Sequence, residues 1–79
     1  MQIDSATRAH GTIASATAAA IRSTQSMTDR CGQIHANLIG IGLLADGDPD
    51  LQERALNASV RVNMIASALQ SLTEAINEL

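Results

Sequence analysis

The chain of 79 residues has no phenylalanine, tyrosine, tryptophan or lysine, and only one cysteine and one proline. Each absence removes a class of protein. Without aromatic rings there is no platform on which bases could stack. One cysteine forbids an intramolecular disulfide, and no Cys/His grouping has the spacing of a closed zinc site. The five arginines are scattered as Arg8, Arg22, Arg30, Arg54 and Arg61 in a chain of net charge −3, so there is no concentrated basic face for phosphate. No apolar run approaches the roughly 18 to 20 residues of a membrane span, and the N-terminus lacks a basic segment followed by an apolar one. The expectation is a chain without stable membrane insertion, cytoplasmic when made and without a signal peptide, whose export would fall to a dedicated machine.

Small and apolar residues recur in steps of four and three: Ile3, Ala6, His10, Ile13, Thr17, Ala20, Thr24, Met27, Cys31, Ile34, Leu38 and Ile41. After an Asp-Gly-Asp-Pro break the pattern resumes as Leu51, Ala55, Ala58, Val62, Ile65, Leu69, Leu72, Ile76 and Leu79. A repeat of this kind predicts two long helices, each with a seam facing another helix.

Asp4 or Ser5 is placed to cap the first helix, with Ile3 folding back on it. Gly40 and Gly42 predict a bend or fraying near its end. In the segment Ala45-Asp46-Gly47-Asp48-Pro49-Asp50, Gly47 suits a left-handed helix stop, Asp48 an N-cap and Pro49 the first position of the next helix. The predicted fold is all-α, a single antiparallel two-helix hairpin with helices over about 4–44 and 49–79 and a turn over 45–48. Its unequal arms predict an N-terminal overhang of roughly ten residues. A domain this small rarely holds itself together by one core, so the hairpin is expected to complete a four-helix bundle by dimerisation or with a partner.

Large apolar residues also fall off the seam. Leu56, Val60 and Met64, spaced four apart, form a stripe on the second helix, and Ile39 and Leu43 lie off the first seam near the same end. These five, with Arg54 and Arg61 one heptad apart, are the candidate partner interface. The arginines would select an acidic partner helix or lie solvated, their stems covering apolar surface.

Chemistry finds little to stand on. Cys31 and His35, four apart, make half a metal site, and His10 is too distant on the same helix to supply the rest. A seam position buries the Cys31 thiol, which argues against a nucleophile. Asp46, Asp48 and Asp50 have the spacing that opens a calcium loop, but the sixth and twelfth places of such a loop hold Leu51 and Asn57 rather than Gly and Glu. The sequence therefore predicts no enzyme, no metal and no cofactor.

In length, paired amphipathic helices and mid-chain turn, the whole chain resembles the ESAT-6-like or WXG100 superfamily of type VII secretion. Ile3-Asp4-Ser5-Ala6 and Ile13-Ala14-Ser15-Ala16 have the small-residue style of the short partners of LXG toxins. Gly40-Ile41-Gly42 stands where that superfamily has Trp-x-Gly, and its C-terminal aromatic-and-acid export signal has no counterpart here. The resemblance implies pairing with a second helical hairpin, either a copy of itself or the N-terminal domain of a toxin. The Asp48-Pro49 turn is also similar to that of type III needle subunits, which implies a filament as the alternative.

Overall fold

The computed structural model describes the backbone from Gln2 to Leu79 and the surroundings of side chains from Arg8 onward. It is an all-α hairpin of two helices, α1 (Gln2–Leu44) and α2 (Pro49–Asn77). The turn uses the chemistry its sequence carries. Gly47 takes φ +94°, Asp48 caps α2 by accepting a hydrogen bond from the Leu51 N–H at 3.2 Å, and Pro49 opens the helix.

Three expectations change. α1 begins at Gln2, so the backbone is already helical through Asp4 and Ser5 and neither caps its start; the side chains of Ile3 and Ala6 lie outside the described residues. Gly40 and Gly42 do not interrupt α1. Gly42 instead lies over Ala55, where a Cβ on the glycine would sit 4.0 Å from the alanine methyl, and the Gly42 carbonyl, left without a partner by the end of α1, accepts from Gln52 Nε2 at 2.9 Å. The overhang is also longer than ten residues. With 43 residues in α1 against 29 in α2, it extends about 20 Å.

The seam is displaced from its expected line. One of its two rows is where the repeat put it: Thr24 and Cys31 on α1 and Ala55 on α2 are buried, with Leu38, Val62, Leu69 and Ile76 half-buried, and Ala45, one heptad beyond Leu38 in the turn, is buried as well. The other row is one residue over on both helices. Thr28, His35 and Gly42 replace Met27, Ile34 and Ile41, while Gln52, Ser59, Ala66 and Thr73 replace Leu51, Ala58, Ile65 and Leu72. The physical reason is size at the close contacts, because Thr28, Gly42, Ser59, Ala66 and Thr73 let two helices approach where isoleucine and leucine would hold them apart, while His35 and Gln52 reach across to backbone carbonyls of the other helix.

The hydroxyls in this seam satisfy themselves. Thr24 and Thr28 donate to the carbonyls of Ala20 and Thr24 four residues back, Thr73 to that of Leu69, and Ser59 to that of Leu56. Among the described residues no large side chain is fully buried. The extents are 71 × 15 × 11 Å and the radius of gyration is 19.5 Å, against about 12 Å for a compact domain of this length. Accessible surface reaches 6123 Å², where a compact monomer of this mass exposes roughly 4,500 Å².

Candidate interaction face

The residues expelled from the seam do not scatter. Ile13, Met27, Ile34 and Ile41 on α1 are spaced by sevens or fourteens, as are Leu51, Ile65 and Leu72 on α2, with Ala20 and Ala58 filling the gaps. Each set precedes the small-residue row of the seam by one position and therefore lies on the same flank of its own helix. An antiparallel pair is related by a two-fold axis perpendicular to the plane of the two helices, which leaves the faces of the pair unexchanged. Equivalent flanks therefore meet on one face, and the two stripes form a single surface along the hairpin. Met27, Ile34, Ile41, Leu51, Ile65 and Leu72 are each between 43 and 54 % exposed.

Ile39, Leu43, Leu56 and Val60 fall on the flank of the opposite face nearer the turn, while that face is polar in its half far from the turn. A cleft of about 280 Å³ there is lined by Gln25, Thr28 and Asp29 of α1 and Gln70, Thr73 and Glu74 of α2. That both helices contribute corresponding positions to it supports the two-fold argument independently.

At 100° per residue, the middle of the apolar sector of each helix is turned about 50° from the direction of its neighbour. A helix at the corner of a square bundle should be turned about 45°, because its apolar sector points along the diagonal to the bundle axis and not at either adjacent helix.

Comparison with known families, curated proteins and solved structures gave no match.

The residues expected to form the interface take several places. Val60 and Met64 are exposed on the back of α2, away from α1, and Leu56 lies at the edge of that surface. Leu43 is 74 % exposed near the turn, whereas Ile39 is half-buried. Arg54 pairs with Asp50 one turn back at 3.0 Å, with both side chains largely in solvent. Arg61 is exposed and shares with Arg54 a shallow surface also lined by Asn57 and Ala58. None of the five apolar residues lies on the long face. Sequence reasoning had the members of the long face in view but assigned them to the seam; the signal that separates them is the line of small residues one position further on.

Cys31 is buried against α2 and His35 is half-buried, its Nδ1 3.4 Å from the Ser59 carbonyl oxygen, a weak contact for the tautomer that donates from Nδ1. His10 is exposed on the overhang and far from both. Among the described residues no three His, Cys, Asp or Glu side chains gather as a metal site. No described helix is long and apolar enough to cross a membrane.

Proposed function

We propose that this chain is a non-enzymatic assembly subunit whose hairpin pairs with a second helical hairpin to complete a four-helix bundle. The observation that carries the reading is the rotation of both apolar sectors, by the same amount and to the same side, away from the contact the hairpin already makes. A pair of helices that was complete in itself would point those sectors at each other. The large excess of accessible surface supports it, as does a seam too poor in large side chains to hold an isolated domain of this size. The biological setting we propose is a type VII-like secretion system, in which the chain acts as a secreted substrate or as the targeting partner of one. The hairpin form with a tight central turn supports that setting.

A second reading has one observation in its favour. Leu43, Val60 and Met64 are exposed off the long face, and two unlike surfaces are what an open filament, such as a type III needle, requires. Sedimentation over a concentration series, for the chain alone and mixed with a designed helical hairpin bearing a complementary apolar stripe, separates the readings. Pairing predicts one closed species that Ile34→Glu with Ile65→Glu abolishes. Open-ended growth favours the filament, and a chain that stays monomeric in every mixture sinks both. For the setting, export that stops when the secretion ATPase is deleted is the expected result; export unaffected by the deletion removes it.

A further inference from the structure

We infer that the long apolar face is made for a partner different from a second copy of this chain, namely a helical partner whose own apolar stripe is edged by aspartate or glutamate. This rests on the pairing reading and adds the chemistry of the partner. The rim of the face is basic. Arg30, Arg54 and Arg61 stand four residues before Ile34, Ala58 and Ile65, and so lie about 40° further round the helix, at the border where the face meets solvent. The remaining border positions, reached in steps of seven on both helices, are alanine, serine, asparagine, glutamine or leucine, and none is acidic. The carboxylates are elsewhere: Asp29 and Glu74 line the polar cleft on the far side, and Asp46, Asp48 and Asp50 crowd the turn.

A second copy would therefore meet arginine with arginine. His35 lies level with Ser59, which places Arg30 and Arg61 within about one helical turn of each other along the hairpin. Setting α2 of one copy over α1 of the next brings Arg61 towards Arg30, and setting α2 over α2 brings Arg54 and Arg61 together. Only Arg54 has an acid of its own, and at that exposure the pair neutralises little. Arg30 and Arg61 have no ion-pair partner among the described residues. Like charges bordering an apolar face disfavour self-pairing, and opposite charges select the partner that supplies them.

The test uses the full chain with two designed helical hairpins that share one apolar stripe and differ only at its edges, glutamate in one and lysine in the other. The chain alone should remain monomeric by light scattering at micromolar concentration. It should bind the glutamate-edged probe at least tenfold more tightly, with the gap narrowing as salt is raised. Replacing Arg30, Arg54 and Arg61 together with glutamate should reverse the preference, a result that a merely misfolded variant would not give. A stable dimer of the chain alone, or equal binding of the two probes, overturns the inference and leaves the pairing reading standing. Binding of neither probe by a monomeric chain overturns both.

Discussion

Glycine has opposite meanings at two places in this chain. Gly47 sits at φ +94°, a conformation that costs a side chain strain, while Gly40 is helical with open space around its Cα. Gly47→Ala should destabilise the hairpin by about 1 kcal/mol, and Gly40→Ala should stabilise it by about 0.5 to 1 kcal/mol through the entropy of the unfolded chain. Denaturant titration followed by circular dichroism would read both, and equal effects of the same sign would contradict the assignment. Asp48→Ala, which leaves the Leu51 N–H without its cap, should cost about 1 kcal/mol in the same assay. The turn was legible because its residues act locally, each through its own backbone. The seam was harder, since Met27 and Thr28 are adjacent and both fit a heptad row. Only the distance of closest approach between helices, a property of two segments at once, decides that Thr28 goes in and Met27 stays out.

At the scale of the element, each helix carries two apolar rows and a third of mostly small or polar residues, and the hairpin uses one apolar row with the third. This makes the two faces of α2 separable by mutation. Ile65→Glu with Leu72→Glu should abolish pairing with a complementary hairpin, whereas Val60→Glu with Met64→Glu, on the back of the helix, should leave it within about threefold, measured by light scattering or calorimetry. The reverse ranking would hand the interface back to the stripe that the sequence singled out. That stripe was conspicuous in the sequence because nothing in a two-row seam accounted for it. The long face was inconspicuous because the two-row seam seemed to account for all of its members.

The whole molecule is a rod with a thin interior, and its helicity should depend on what covers it. At low micromolar concentration and without a partner, the chain should unfold at low denaturant with shallow cooperativity. A complementary hairpin should raise its midpoint in a concentration-dependent way, as mass action requires. A high midpoint indifferent to concentration and partner would show that the seam suffices. Cys31 offers a second probe, because its thiol is buried between the helices. Its reaction with a thiol reagent should be slow when a partner is bound and approach the denatured rate when the hairpin stands alone.

The hydrogen bonds between helices give the rod a mechanical asymmetry. The two among the described residues, Gln52 to the Gly42 carbonyl and, in the Nδ1–H tautomer, His35 to the Ser59 carbonyl, fall in the half near the turn. In the other half, threonine hydroxyls bond within their own helices, and no described hydrogen bond crosses between α1 and α2. The molecule is therefore a pair of tweezers, riveted at Gly47 and held by side-chain packing alone at its far end, where Thr17 and Ile76 are each half-buried. Such jaws can spread a little to admit a thicker partner without disturbing the rivet, and amide protons near Thr73 should exchange faster than those near Val62.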